Sequence, residues 1–241
     1  MKNKIFNSFQ DAVADILDSA TIMIGGFGHE IDKPQNLITA LKERGSKNLT
    51  IIANSSGGAG KLGIGSLGGI PFTDEEILVE NGQVRKVICS VPASLVMSKP
   101  NAFEKRYLAG EVELEYVPQG NLAERIRAGG AGLGAFYTPT GTGTLIEEGK
   151  EKRIINGTEM LLEFALKADY ALIRAYCADT MGNLIYRGIM RSFNAIMATA
   201  AKVTIAEVER IVPAGELDPE VIVTPGLFID RIVAMPKGKQ Q

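Results

Sequence analysis

The sequence predicts an α/β fold: a single domain over residues 1–241 with a mostly parallel sheet flanked by helices and a smaller antiparallel patch. Three observations carry this. Strand-like and helix-like runs alternate over about the first 140 residues. Runs such as "TIMIGG" and "YALIRAYCAD" are apolar enough to be strands buried on both faces. One Asn156-Gly157 step parts two apolar runs, as a tight hairpin does.

Taken in order, "MKNKIFNSFQDAVADIL" spaces apolar residues as a helix does and offers no unbroken hydrophobic run, so it does not read as a signal peptide. "TIMIGG" is the first buried strand. "PQNLITALKERG" is a helix with Pro34 at its start, Leu37, Ile38 and Leu41 on its apolar face and Gly45 at its stop. "NLTIIAN" and "QVRKVICSV" are strands, "AFEKRYLAG" a short helix, "EVELEYVP" a strand, and "NLAERIRAGG" a helix stopped by its paired glycines. After the hairpin "KEKRIINGTEMLLEF" come strands at "YALIRAYCAD" and "NLIYRG", a helix at "FNAIMATAAK", a strand at "VTIAEVE" and an apolar close at "GLFIDRIVAM". No repeat, low-complexity tract or polar linker divides the chain.

Composition removes several classes of function. The net charge of −2, with no basic stripe, argues against nucleic acid as a partner. No run of about 18 apolar residues is present, so no membrane span is expected. Cys89 and Cys177 lie apart in apolar runs and read as buried reduced thiols, which points to a cytoplasmic setting. One histidine and two separated cysteines cannot supply the usual metal sets, so no metal site is predicted. A serine triad would need His29, and no G-x-S-x-G elbow accompanies it.

Gly58-Ala59-Gly60-Lys61-Leu62-Gly63 and the overlapping Gly63 to Gly68 both satisfy G-x-G-x-x-G. A dinucleotide fingerprint needs a helix to begin at once, and the glycines and Pro71 that follow forbid it. A P-loop fails as well, because Leu62 follows Lys61 where Ser or Thr is required. The better candidate is Gly25-Gly26-Phe27-Gly28, at the carboxyl end of a strand, where ligands of open α/β sheets settle. Backbone without Cβ lets a ligand approach, and free N–H groups can donate to an anion or to a thioester carbonyl. "IIANSSGGAG", "VPQGNLAERIRAGGAG" and "FYTPTGTGT" share this character and outline one rim. Asn54, Gln119, Asn121 and the hydroxyls from Thr138 to Thr144 suit a polar substrate. The plainer alternative is loop capping, with Asn121 as a helix N-cap. Glu124 and Arg127 read as a solvated helix pair, and Glu80-Asn81-Gly82 as a turn.

On "TIMIGGFG", "LTIIAN", "GEVELEYVPQGNLAERIRAGGAGLGAFYTPTGTGTLIEEGKE", "ADYALIRAYCADTMGNLIYR", "SFNAIMATAAKVTIAEVE" and "GELDPEVIVTPGLFIDRIV", the chain resembles the alpha subunit of the family I coenzyme A transferases of the 3-oxoacid or 3-oxoadipate type. The resemblance implies a CoA-transferase-like α/β fold and acyl-CoA as substrate, with no permanently bound cofactor. It implies a beta-subunit partner in a heterotetramer, and that partner carries the nucleophilic glutamate, so no catalytic residue is expected in this chain. It assigns Gly25, Gly26, Phe27, Gly28, His29, Glu30 and Ile31 to the CoA-facing loop, and Asn54, Gln119 and Gly120 to the acyl or carboxylate pocket. The family's glycine signature continues to G-x-P. Here His29-Glu30-Ile31-Asp32-Lys33-Pro34 is one residue longer, and Asp32 replaces the last glycine. The partner's nucleophile lies in a similar Glu-Asn-Gly run, but Glu80 aligns with an ordinary turn and is not expected to be that group. The competing expectations are a nucleotide or sugar-phosphate binding protein, and a non-catalytic regulatory subunit.

Overall fold

The computed structural model describes residues 3–236. Its strands are β1 (Ile5–Phe6), β2 (Thr21–Ile24), β3 (Leu49–Ile52), β4 (Val84–Cys89), β5 (Glu113–Tyr116), β6 (Ala135–Thr138), β7 (Lys152–Ile155), β8 (Thr158–Phe164), β9 (Ala168–Asp179), β10 (Leu184–Ile185), β11 (Ala201–Val212) and β12 (Arg231–Ala234). The α-helices are α1 (Phe9–Val13), α2 (Gln35–Arg44), α3 (Glu76–Glu80), α4 (Ala102–Leu108), α5 (Gln119–Gly130) and α6 (Ser192–Met197).

A nine-stranded sheet runs β1-β12-β11-β9-β2-β3-β4-β5, with β10 paired to β9. Every pairing in it is parallel except β10 with β9, and β6-β8-β7 form the separate antiparallel patch. Both faces are covered, which explains the continuous apolar runs. Ile22 and Ile24 of β2, Ile51 of β3 and Leu172 of β9 bury against α1, α2, α3 and α4. Their chain neighbours Met23, Ile52, Ala171 and Ile173 bury on the opposite face against α5 and α6.

Asn156 and Gly157 both take positive φ, 50° and 79°, as the two central residues of a tight hairpin turn require. α5 differs from expectation at its start. Pro118 is its N-cap, and Asn121 is a buried residue of the helix rather than the cap. At the other end the helix does finish at the paired glycines, Gly129 and Gly130, with Ala131 as its C-cap. They let it pack closely: a Cβ on Gly129 would lie 2.0 Å from the Leu166 carbonyl oxygen, and one on Gly130 would lie 2.1 Å from Thr199 Oγ1. Among the described residues, no helix is long and apolar enough to cross a membrane.

Candidate functional site

β2 ends at Ile24, and Gly25 N–H extends its ladder to the Leu172 carbonyl at 2.9 Å. The chain then turns back on the Asp32 carboxylate, which accepts from Phe27 N–H at 2.7 Å and His29 N–H at 3.0 Å. Asn194 Nδ2 donates to the Asp32 carbonyl at 2.9 Å, and Ser192 Oγ reaches the Asp32 carboxylate at 3.3 Å. Glu30 N–H donates to the Gly65 carbonyl at 3.1 Å, while the Glu30 carbonyl accepts from Gln35 Nε2 at 3.0 Å and Arg174 Nη1 at 3.1 Å. The stretch from His29 to Pro34 therefore sits in a loop fastened from several sides. The amides of Gly25, Phe27, His29 and Glu30 are already used, which narrows what the loop can offer a ligand.

The glycines of this loop have separate reasons. A Cβ at Gly25 would collide with Asn194 Oδ1 at 1.9 Å. Gly26 has φ of 94° and lies over Asp32. Gly28 has φ of 112° with nothing within 4 Å of a built Cβ, so the space above it is open to an incoming group. Among the described residues, the amides of Gly26 and Gly28 meet no acceptor. His29, Glu30 and Ile31 are half-buried along the far side of the turn.

Three separate stretches meet at this loop. Asn54, buried just beyond β3, donates from Nδ2 to the Phe27 carbonyl at 3.2 Å. Its Oδ1 accepts from Gln119 Nε2 at 2.7 Å, and its own carbonyl accepts from Ser90 N–H and Val91 N–H, both at 3.1 Å. Gln119 is the first residue of α5, and both it and Gly120 face outward. The Phe27 ring, 44% exposed, stacks on Phe193 with centroids 6.2 Å apart. Gln119, Asn54 and the Phe27 carbonyl thus form one hydrogen-bonded row along the carboxyl edge of the sheet. Ser90 Oγ, beside Asn54, is buried and has no partner among the described residues.

Buried charge underlies the row. Lys33 Nζ meets Glu75 Oε2 at 2.6 Å with both side chains shut off from solvent, and Ser55 Oγ donates to the other Glu75 oxygen at 2.8 Å. Burial opposes the Lys33 charge, but the Glu75 carboxylate outweighs it and holds the ammonium above its usual pKa. Burial, with Glu75 adding to it, pushes the neighbouring Asp74 up to about 6. Asp74 Oδ2 accepts from Gly58 N–H at 2.9 Å and Gly60 N–H at 2.8 Å. The amides of the apparent dinucleotide fingerprint therefore already hold a carboxylate of this chain, and the 3-10 turn and loop that follow supply no α-helix.

The other candidates fall outside the row. Two of the threonines serve their own turn, with Thr144 Oγ1 donating to the Gly141 carbonyl at 2.7 Å and Thr138 Oγ1 accepting from Thr140 N–H at 3.3 Å, while Thr142 Oγ1 is buried without a partner among the described residues. Asn121 Nδ2 donates to Glu163 at 3.1 Å beneath the small sheet. Glu124 pairs with Arg127 at 2.8 Å in solvent, and Glu80 pairs with Lys61 at 2.7 Å on the surface. Asp32 and Asn194 fasten the loop, yet neither was marked as a site residue by the sequence. The signal for Asp32 was its presence where a glycine was expected; for Asn194 there was none.

The coenzyme A transferase family model matches residues 6–235. The A-subunit of the 3-oxoadipate CoA-transferase of Pseudomonas putida is 49% identical over 235 residues, covering 98% of this chain and 95% of that protein. The alpha chain of the acetate CoA-transferase of Escherichia coli K12 is 45% identical, covering 99% and 100%. The A-subunit of the succinyl-CoA:3-ketoacid coenzyme A transferase of Helicobacter pylori J99 is 44% identical, covering 95% and 91%. Crystal structures share the fold as well. Glutaconate coenzyme A-transferase of Acidaminococcus fermentans gives a TM-score of 0.79 at 22% identity over 98% of this chain and 76% of that one. An acyl-CoA transferase of Escherichia coli O157:H7, in a thioester complex with CoA, gives 0.81 at 22% identity, and this chain spans 51% of its length. The chain belongs to the coenzyme A transferase family.

Proposed function

We propose that this chain is the alpha subunit of a two-chain CoA transferase that moves CoA from succinyl-CoA or acetyl-CoA to a 3-oxo acid of the acetoacetate or 3-oxoadipate kind. The observation that carries the reading is the row Gln119–Asn54–Phe27 at the open glycine loop, which joins three distant stretches at the carboxyl edge of the sheet. The nucleophile is a glutamate of the beta subunit. It attacks the thioester carbonyl, giving an enzyme-linked anhydride and CoA thiolate, and the thiolate returns to form a glutamyl-CoA thioester while the first acid leaves. The acceptor carboxylate then reverses the sequence and departs as the new acyl-CoA.

The part of this chain is to orient and to exclude water. CoA lies along the loop from Gly25 to Ile31, with its closest approach over Gly28. Asn54, Gln119 and Gly120 border the acyl group. Gln119 spends one amide hydrogen on Asn54 and keeps the other for an acyl oxygen, and Asn54 fixes its direction. A plain anion cradle for nucleotides or sugar phosphates is disfavoured, because the Asp32 and Asp74 carboxylates already occupy the Phe27, His29, Gly58 and Gly60 amides, which leaves such a cradle the Gly26 and Gly28 amides in place of a full nest.

Transferase assays on the separate chain and on the complex with its beta subunit test the proposal. The separate chain is expected to give no turnover and the complex full turnover, in an assembly of two copies of each chain by mass measurement. Activity of this chain without a partner would overturn the two-chain scheme, and a loop variant such as Gly28→Ala that leaves the complex at full rate would point to a regulatory subunit. In the complex, Glu80→Ala is expected to leave the rate within about twofold, since its exposed ion pair with Lys61 is worth only about 1 kcal/mol or less. A loss beyond tenfold would place the nucleophile in this chain after all.

A further inference from the structure

β9 outruns its neighbour. β2 pairs with it only as far as Leu172, and β10 takes the vacated edge opposite Cys177 and Ala178. On this projecting stretch Tyr176 lies two residues past Arg174, on the same face of the strand. On that face the Arg174 guanidinium reaches the Glu30 carbonyl of the glycine loop at 3.1 Å. Two guanidinium groups stand over the Tyr176 ring, Arg210 from β11 at 5.0 Å from its centroid and Arg187 from the segment after β10 at 5.7 Å. Arg191 follows one turn later, two residues before the Phe193 ring that stacks on Phe27.

Among the described residues, none of these three arginines forms an ion pair, and all three are exposed. The nearby Asp179 carboxylate is spent on Met181 N–H, Asn183 N–H and Asn183 Nδ2 at 2.7–2.9 Å. In a chain of net charge −2, two arginines brought over one ring without an ion pair of their own stand out. Stacking uses the flat face of a guanidinium and leaves the N–H donors along its edge available, although Arg210 also reaches the Cys177 thiol. That edge matches the two oxygens of a carboxylate or phosphate.

We propose that Arg187 and Arg210, held over Tyr176, form an oxyanion subsite beside the glycine loop that binds a charged group of the substrate remote from the reacting carbonyl. The inference rests on the transferase reading above. One chemistry has two sources here, the distal carboxylate of a dicarboxylic acyl group or a phosphate of CoA.

The test uses the two-chain enzyme with Arg187→Ala, Arg210→Ala and the matching lysine variants. Steady-state constants are measured with a dicarboxylic and a monocarboxylic acceptor, and with acyl-CoA and the corresponding acyl-pantetheine. A rise of about tenfold or more in KM for the dicarboxylic acceptor alone, with kcat within about twofold, supports the subsite and assigns it to the distal carboxylate. The same rise for acyl-CoA, with acyl-pantetheine unaffected, supports it and assigns it to phosphate. Lysine should restore part of either loss, since it keeps the charge without the fork. Unchanged constants overturn the subsite, as does an equal loss across all four substrates with a lowered melting temperature. Wild-type enzyme with no turnover would sink the transferase reading instead. Calorimetric titration of succinate and of CoA into the same proteins then decides the subsite, which stands if the alanine variants bind either one more weakly and falls if they bind both equally.

Discussion

At the scale of single residues, two glycines three positions apart do different work, and substitution separates them. Gly25→Ala drives a methyl group into Asn194 Oδ1, which also accepts from Arg174 N–H at 2.9 Å. Overpacking there is expected to cost roughly 1–3 kcal/mol, read as a lower denaturant midpoint. Gly28→Ala meets no atom, so its cost is confined to the positive φ, about 1 kcal/mol. The added methyl would project where CoA is proposed to approach, so KM for acyl-CoA should rise with only a small loss of melting temperature. The loop was legible as a glycine turn after a strand, because that pattern is local. Its fastening was not. Asp32 bonds amides three and five residues before it, and Asn194 arrives from α6, more than 160 residues along the chain.

Elements repeat the lesson over longer spans. The hairpin was legible since an Asn-Gly turn is set by its own two residues. β1 was hidden because two residues carry no periodicity, and its partner β12 lies at the other end of the chain. The end of α5 at its glycines was legible, but their second use, the close approach of Leu166 and Thr199, was not, because those neighbours lie far along the chain. α4 shows how one short element is tied to the site. Asn101 Oδ1 caps it through Glu104 N–H at 2.8 Å, while Nδ2 donates to Ser56 Oγ at 3.1 Å and the Gly57 carbonyl at 3.0 Å, just past Asn54. Asn101→Ala should therefore destabilise by about 2 kcal/mol, cap and buried donors together. Asn101→Asp keeps the cap acceptor and loses both donors, so chemical denaturation should rank it differently from the alanine variant, and equal losses would discount the cap.

For the whole molecule, the buried carboxylate at Asp74 gives a pH dependence with a definite sign. Its folded-state value is pushed up to about 6, above that of the unfolded chain, so between those values the folded protein holds a proton that the unfolded protein lacks. This group's contribution to stability is thus fully present below the unfolded pKa, near 4, and is lost as pH rises through about 6. Thermal melts from pH 4 to 8 should show that component flattened in Asp74→Asn. An unaltered slope would mean that other groups carry it.

The edge of the large sheet has a consequence for how chains combine. β5 is the outer strand, and its Glu113 and Glu115 are tied to Arg85 and Lys86 of β4 at 3.2 and 2.6 Å. Glu115 also holds Arg125 of α5 at 2.9 Å. Charges along an edge strand penalise another strand laid against it, since they would be stripped of water. The opposite edge, β1, is two residues long and gives little to pair with. Both margins of the large sheet are thereby guarded against edge-to-edge pairing of copies.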